Sequence, residues 1–347
     1  MMTADKTLDL DTLATYLEAS ITGFRGPITL EKFPDGQSNP TFKLKAGSGM
    51  YVLRRQPPGK LLKSAHAVDR EYRVLDALRN TDVPVAEVYH LCENRDVIGS
   101  MFYLMEYCDG DVFWSATLPE IPDNAGRSAM YAEMNRVLTA IHSVDIEKTG
   151  LSDYGYPGNY FQRQTGRWTN QYRASELSAI PAMDELIDWL SKNTPADDGK
   201  ISLVHGDYRL DNLMFAKHEP RIIAVLDWEL STLGHPYADL AYQCMALRLP
   251  HNDDPTIMSG LRGIDTSKLG IPDEKAYVSA YCKSLGISEI ENWDFYLAFS
   301  FFRLAAIAQG VAKRATQGNA SNSRAAAVGA MVPILAGMAL EIIAKPA

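Results

Sequence analysis

The chain has 347 residues, 46% of them hydrophobic, so it is long and apolar enough to fold around a substantial core. Its formal net charge of −9, from 43 acidic and 34 basic residues, argues against a sequence-independent nucleic-acid binder, which needs a basic face. The four cysteines are scattered without a C-x-x-C pair, so their spacing predicts neither a zinc site nor a disulfide framework. We therefore expect a globular cytoplasmic protein whose partner is a small molecule.

The composition of the two ends predicts no export and no membrane partner. The first ten residues, MMTADKTLDL, carry acidic side chains where a secretory signal needs a basic start and an apolar run. The longest uncharged stretch, from Ala325 to Leu340, falls short of the ~20 residues that cross a bilayer and contains Pro333. We predict that this stretch forms a buried C-terminal helix.

The N-terminal part of the chain has the pattern of a small sheet with two helices. Apolar residues at helical spacing predict helices over 9–21 and 66–80. Three short alternating segments, ITLEKF, PTFKLKA and MYVLRR, are separated by the turn formers PDGQSN and GSG, which predicts antiparallel strands. Two further strands are predicted over 85–94 and 100–108.

The C-terminal part is mainly helical by the same criterion. From about Pro119 onward, only two short strands, around Leu213 and Val225, interrupt the helical pattern, and residues 318–324 have the composition of a loop. The predicted fold class is α+β, with a small antiparallel-sheet lobe over residues 1–107 followed by a larger helical lobe over residues 108–347.

One segment of the helical part, LVHGDYRLDNLMFAKHEPRIIAVLDWE, carries a chemical pattern. Antiparallel pairing of NLMFA with IIAVLDW across the turn KHEPR sets Asn212 opposite Leu226 or Asp227. An amide oxygen and a carboxylate then converge, which is ligand chemistry that suits Mg²⁺. Asp207 lies five residues before Asn212, and from there its carboxylate could orient or deprotonate an attacking hydroxyl group.

The pattern H-G-D-x-x-x-x-N, followed by an apolar strand and D-W-E, resembles the motifs of the aminoglycoside phosphotransferase and choline-kinase-like family, relatives of protein kinases. The resemblance implies a two-lobed protein-kinase-like fold with ATP and Mg²⁺ as cofactors. By the same resemblance Asp207 is the catalytic base, and Asn212 and Asp227 hold the metal. His205 supports the catalytic loop, and so does Asp239, in a segment (GHPYADLAY) that resembles the family's G-x-P-x-x-D-L-A signature.

The resemblance extends to nucleotide-binding positions in the N-terminal lobe. GQSN sits where the family has its nucleotide-covering hairpin, although with one glycine, and YVLRR sits on the strand whose basic residue contacts phosphates. Arg54 takes the place of a lysine, with Arg55 as the alternative register, and Glu71 resembles its acidic partner; an ordinary surface ion pair is the alternative. MEYCDG resembles the adenine-binding hinge. The implied nucleotide-binding residues are Gly36, Gln37, Ser38, Asn39, Arg54, Glu71, Glu106, Tyr107 and Cys108.

Two segments of the helical lobe are positive in an otherwise acidic chain. Residues 154–175 contain arginines and aromatic residues but no acidic residue, and residues 295–340 also lack acidic residues. A polycationic aminoglycoside needs carboxylates, so this charge favours an anionic or acyl-bearing hydroxyl compound. RQ-x-x-RW and FRLAAIAQG resemble the kinase-like domain found beside acyl-CoA dehydrogenase modules, which implies a hydroxy acid or hydroxyacyl-CoA acceptor. The candidate acceptor-binding residues are Arg163, Arg167, Trp168 and Arg303, and a solvated helix face is the alternative.

Other functions stay open beside phosphotransfer to such an acceptor. An aminoglycoside phosphotransferase is one, and a catalytically silent pseudokinase that senses a nucleotide or acyl ligand is another, although Asp207, Asn212 and Asp227 together argue against silence. A metal-dependent hydrolase would need more histidines than His205. No segment ending in A-P-E follows Asp227, which argues against protein substrates. We predict an ATP- and Mg²⁺-dependent kinase of a small-molecule hydroxyl group.

Overall fold

The computed structural model describes residues 8–33, 39–57, 67–252, 259–316 and 325–344. The chain divides into two compact units. The first unit consists of Met1–Asp111, Glu147–Leu151 and Leu213–Leu230. The second unit consists of Val112–Ile146, Ser152–Asn212 and Ser231–Ala347.

A five-stranded antiparallel sheet is the centre of the first unit, with strand order β1-β2-β3-β5-β4. Its strands are β1 (Thr29–Lys32), β2 (Thr41–Ala46), β3 (Gly49–Arg55), β4 (Val88–Cys92) and β5 (Phe102–Glu106). The strands predicted from alternation are confirmed. In the observed register Thr41 lies opposite Arg54, and Tyr51 lies opposite Glu106.

Two helices of the first unit confirm the helical predictions. Helix α1 (Leu10–Ser20) begins at Asp9, whose carboxylate accepts hydrogen bonds from backbone N–H groups of the first turn, and it buries Leu13 and Leu17. Helix α2 (Val68–Leu78) buries apolar residues at helical spacing and, with them, Glu71. A carboxylate on the buried face of an amphipathic helix needs polar partners inside the protein.

The predicted hairpin after the H-G-D segment is also confirmed. A second sheet has the order β6-β8-β9, with β6 (Gly110–Val112), β8 (Leu213–Ala216) and β9 (Ile222–Val225). Leu213 pairs with Val225. A Cβ atom on Gly110 would lie 2.3 Å from the carbonyl oxygen of Phe215, so glycine is required where the two backbones approach.

Eight helices are described in the second unit. They are α3 (Asn124–His142), α4 (Tyr160–Ser175), α5 (Pro181–Lys192), α6 (Tyr237–Arg248), α7 (Thr266–Leu269), α8 (Glu274–Leu285), α9 (Trp293–Thr316) and α10 (Ala325–Ile343). Among the described residues α9 alone is long and apolar enough to span a membrane by length and composition, and 89% of its apolar window is buried inside the protein. The predicted C-terminal helix is confirmed as α10, which contains Pro333 and buries Val332 and Leu335. The predicted loop over 318–324 lies outside the described residues.

One strand pair was missing from the prediction for this part of the chain. Strand β7 (Ser202–Val204) pairs antiparallel with β10 (Thr232–Gly234), so more than two strands interrupt the helices. Each strand has three residues, which is too short for alternation to be recognised. Strand β7 leads directly into His205, and β10 leads into His235.

Candidate functional site

The predicted partner of Arg54 is present in the first unit. Arg54 Nε lies 2.6 Å from Glu71 Oε2, with 13% and 2% of the two side chains exposed, and Arg54 Nη2 donates to Glu71 Oε1 at 3.2 Å. Asn39 Nδ2 and the Tyr103 hydroxyl donate to the same carboxylate at 2.9 and 3.1 Å. The pair is therefore buried, and the Glu71 carboxylate accepts hydrogen bonds from three residues, unlike an ordinary surface ion pair.

Arg54 and Arg55, the two register alternatives at this position, face different surroundings. Arg55 is 3% exposed, and its Nε donates to the carbonyl of Gln56, whereas Arg54 faces the carboxylates because adjacent strand residues point to opposite faces. Burial alone would lower the pKa of Arg54, but the negative charges of Glu71 and Asp227 raise it above its ordinary value. Arg54 is thus the fixed positive charge of the first unit's site.

Asp227 is the second carboxylate that Arg54 contacts. Arg54 Nη2 lies 2.8 Å from Asp227 Oδ1, and 38% of the Asp227 side chain is exposed. The backbone of Asp227 has φ 61°, in the left-handed region that residues other than glycine rarely adopt. Trp228 anchors the turn, because its indole N–H donates to the Val225 carbonyl at 2.9 Å. Strain of this kind is typical of functional sites, where the surrounding structure holds it.

Three carboxylates of the first unit, one on α2 and two after β9, form a donor set that suits a hard cation. Glu71, Asp227 and Glu229 place carboxylate oxygens within 4.8 Å of one another, and oxygen ligands are those that Mg²⁺ prefers. The sequence reading missed Glu229 as a site residue, although D-W-E contains it. The predicted metal ligand Asp227 therefore has a second carboxylate beside it on the same turn.

The predicted hinge residues follow β5 in the first unit. Glu106 ends the strand, and its carboxylate accepts the backbone N–H of Glu87 at 3.2 Å. The Lys43 ammonium group lies 4.5 Å from the centre of the Tyr107 ring. Burial, with the charge of Glu106, raises the pKa of Cys108 to about 11, so this thiol is protonated at neutral pH.

The predicted hairpin lies only partly within the described chain. Gly36, Gln37 and Ser38 fall outside the described residues, whereas Asn39 is fully buried on Glu71. The contact ties the end of the GQSN segment to helix α2.

In the second unit, Asp239 holds the loop that carries Asp207. Asp239 Oδ2 accepts the backbone N–H of His205 at 2.6 Å, and Oδ1 accepts that of Gly206 at 2.9 Å. Burial would raise the pKa of Asp239, but the hydrogen bond and charge of His142 and the charge of His205 hold it below its usual value. Gly206 has φ 83°, a conformation that favours glycine in the H-G-D sequence.

Asp207 and Asn212 are joined directly. Asn212 Nδ2 donates to the Asp207 carbonyl at 2.8 Å and to its Oδ2 at 2.9 Å. Because the nitrogen of the amide faces Asp207, the amide oxygen is the atom left to act as a metal ligand. Asn212 ends a short 3-10 turn that begins at Leu210 and leads into β8.

The candidate acceptor residues separate into two environments. Arg163 donates to the carbonyls of Tyr156 and Pro157 at 2.6 and 3.2 Å, so it braces the loop before α4. The exposed Arg167 has its guanidinium carbon 5.4 Å from the centre of the Trp168 ring.

Arg303 shares that ring but lies inside the unit. Its guanidinium carbon is also 5.4 Å from the Trp168 ring centre, and only 7% of Arg303 is exposed. The structure thus brings Arg167, Trp168 and Arg303 together and gives Arg163 carbonyl partners of its own.

The fold, the loop with Asp207 and Asn212, and the buried Arg54–Glu71 pair are the features expected of a kinase-like phosphotransferase. Residues 29–264 match the family described as the Phosphotransferase enzyme family, APH, and the chain belongs to that family.

The chain is also similar to parts of longer proteins. The chain is 47% identical over 336 residues to acyl-CoA dehydrogenase family member 10 of Mus musculus, covering 96% of this chain and 31% of that protein. It is 43% identical over 319 residues to family member 11 of Rattus norvegicus, covering 90% of this chain and 40% of that protein. The chain thus spans less than half the length of these relatives.

Solved structures show the same fold. A candidate aminoglycoside phosphotransferase from Ralstonia eutropha is 49% identical, with a TM-score of 0.88, covering 96% of this chain and 98% of that one. A thermostable mutant of aminoglycoside phosphotransferase APH(4)-Ia, solved as a ternary complex with AMP-PNP and hygromycin B, is 16% identical with a TM-score of 0.60, covering 96% of this chain and 99% of that one. The family and the fold support a small-molecule kinase.

Proposed function

We propose that the protein transfers the γ-phosphoryl group of ATP to a hydroxyl group of a small molecule. The observation that carries the proposal is the hydrogen bond from Asn212 Nδ2 to the Asp207 carboxylate at 2.9 Å. Asp239 holds the same loop, because its carboxylate accepts hydrogen bonds from the backbone N–H groups of His205 and Gly206. A loop fixed this firmly presents one carboxylate oxygen in a set direction. Such positioning supplies much of the rate in phosphoryl transfer.

Each site residue has a role in this proposal. Asp207 accepts the proton of the acceptor hydroxyl group, or orients that group, as phosphorus is attacked. Arg54, held by Glu71, supplies positive charge for the phosphate groups. The Asn212 amide oxygen and the Asp227 carboxylate, with Glu229 beside it, would hold Mg²⁺. When bound, Mg²⁺ neutralises charge that develops on the phosphoryl group.

The proposed adenine position is the end of β5 and the two residues after it, because MEYCDG resembles the family's hinge. The residues proposed to bind adenine are Glu106, Tyr107 and Cys108, and the segment from Gly36 to Asn39 is the proposed phosphate-binding segment. All four cysteines are free thiols, which suits a cytoplasmic location.

We further propose that the acceptor is anionic or acyl-bearing, such as a hydroxy acid or a hydroxyacyl-CoA. Arg167 on α4 supports an anionic group because it is exposed beside Trp168. An apolar groove of about 580 Å³ supports an acyl group; it is lined by side chains that include Leu177, Ile180 and Ala312. The relatives named as acyl-CoA dehydrogenase family members point to the same chemistry.

MgATP consumption by the purified protein tests the proposal. The panel contains hydroxy acids, hydroxyacyl-CoAs, choline, homoserine and aminoglycosides. Asp207→Asn is expected to lower kcat by about 100-fold or more, the usual contribution of a general base, and to leave binding of ADP with MgCl₂ intact. The matched control is Asp188→Asn, a change at a carboxylate that is 61% exposed on α5.

The outcomes separate the candidate functions. If the wild type phosphorylates an anionic compound of the panel and Asp207→Asn does not, the proposal is supported. Turnover of an aminoglycoside alone would overturn the acceptor class. ADP binding without turnover of any member favours a nucleotide sensor, and turnover that survives Asp207→Asn would refute the assigned base.

A further inference from the structure

Arg303 is a buried cation beside the loop that carries Asp207. It lies on α9 and is 7% exposed, and its Nη2 donates a hydrogen bond to the Gly206 carbonyl. Its guanidinium carbon lies 5.4 Å from the Trp168 ring centre and 5.2 Å from that of Tyr242. The guanidinium group is therefore near two aromatic rings while one nitrogen contacts the loop.

The surroundings of Arg303 are unusual for a buried charge. Within the described parts of the chain it forms no salt bridge with a carboxylate, although burial of a cation normally requires a charged partner. Two aromatic faces and one carbonyl oxygen compensate for the lost hydration instead. These contacts fix the orientation of the side chain, so that its guanidinium group is directed at the Gly206 carbonyl.

The carbonyl that Arg303 contacts belongs to the peptide group that links Gly206 to Asp207. At the other side of that peptide, the N–H of Asp207 donates to His205 Nδ1 at 3.2 Å. A peptide group is planar, so contacts to its oxygen and to its N–H together fix the plane. The plane in turn fixes the position from which the Asp207 side chain leaves the backbone.

Helix α6 contributes to the same arrangement. Asp239, in its first turn, accepts the N–H groups of His205 and Gly206. Tyr242 lies one turn later, where its ring neighbours Arg303. Successive groups of the loop are thus held by α6 and α9 from different directions.

We propose that Arg303 is a positioning residue for Asp207, which acts by fixing the peptide plane between Gly206 and Asp207. This inference rests on the proposed function, in which Asp207 orients or deprotonates the acceptor hydroxyl group. It differs from the expectation that Arg303 binds the acceptor, because the contact is with the backbone of the protein itself.

Three variants on α9 test the inference. Arg303→Met removes the charge and the donors at similar length, and Arg303→Lys keeps a charge and a donor but loses the planar group that stacks on rings. Arg314→Met is the matched control, since Arg314 is exposed on the last turn of the same helix. Steady-state kinetics are measured with MgATP and the acceptor that the panel identifies. Hydrogen–deuterium exchange is measured for the peptide covering residues 203–212.

For a positioning role, Arg303→Met lowers kcat by about 100-fold, the effect expected for a misplacement of about 1 Å, and leaves both KM values nearly unchanged. Exchange in the loop rises in Arg303→Met, both effects are partly rescued in Arg303→Lys, and Arg314→Met matches the wild type. A raised acceptor KM with unchanged kcat would overturn the inference in favour of acceptor binding.

The exchange measurement separates failure of this inference from failure of the proposed function. A wild type that shows no turnover contradicts the proposed function, and the loop exchange then tests the Arg303 contact by itself. Unchanged exchange in Arg303→Met refutes the contact, whether or not the protein is active.

Discussion

Asp239→Asn provides a direct test of how firmly the loop before Asp207 is held. The carboxylate is fully buried and accepts two backbone N–H groups, at 2.6 and 2.9 Å. An asparagine keeps one acceptor oxygen, so one N–H group faces an amide nitrogen and the other loses a charged acceptor. An unsatisfied buried donor costs about 1–3 kcal/mol, and hydrogen bonds to charged groups exceed neutral ones by about 1 kcal/mol. The expected loss of unfolding free energy is therefore about 3 kcal/mol, about two decades in the unfolding equilibrium.

Urea unfolding followed by tryptophan fluorescence measures this loss, with Asp188→Asn as the exposed control, expected within about 0.5 kcal/mol of the wild type. The pH dependence is a second readout. Because the folded-state pKa of Asp239 is lowered, its stabilising contribution is present above the unfolded pKa of about 3.9 and is lost as pH falls through the folded value. The difference between wild type and Asp239→Asn should thus be constant from neutral pH to about pH 5 and shrink in stronger acid. A loss below about 1 kcal/mol at neutral pH would refute the reasoning.

Two further predictions concern the other charged groups of the site. Glu71→Gln leaves the buried Arg54 without its main counter-charge, so we expect a loss of about 3 kcal/mol of unfolding free energy together with a raised ATP KM. The exposed Glu219→Gln should change neither quantity, and equal behaviour of the two variants would contradict the role of the pair. Replacing Arg167 by alanine should raise the acceptor KM by about tenfold without weakening ADP binding. An acceptor KM that stays unchanged in this variant would remove the charge argument for an anionic acceptor.

Much of the first unit follows from local pattern. The alternation in PTFKLKA and MYVLRR specifies which face of each strand is buried, so the pairing of β2 with β3 could be predicted before any contact was known. The hairpin from Leu213 to Val225 could also be predicted from the sequence, because the turn formers between its strands set its register. Strands β7 and β10 could not be predicted, since strands of three residues that lie far apart in sequence leave no periodic signal.

The sequence predicted residue types for the candidate site, but it did not predict how their neighbours pack. Motif spacing indicated Asp207, Asn212 and Asp227, because the metal and base chemistry constrain residue type and separation. Nothing in the sequence indicates that Tyr242 lies against Arg303, because stacking across two helices depends on how these helices pack. The left-handed backbone of Asp227 could not be predicted either, since residues other than glycine rarely adopt it.

The chain segments that form the first unit affect how the protein folds during synthesis and how it can be divided into fragments. The unit is discontinuous: it takes in Glu147–Leu151 and Leu213–Leu230 in addition to the N-terminal residues. During synthesis this unit is incomplete until residue 230 has left the ribosome, well after the five-stranded sheet has been made. A fragment that ends at Asp111 would lack β8 and β9 and would expose the side chains that normally pack on them. Dissection of the protein into separately expressed halves should therefore fail at that point, whereas internal fusions belong in exposed loops such as the turn between β8 and β9.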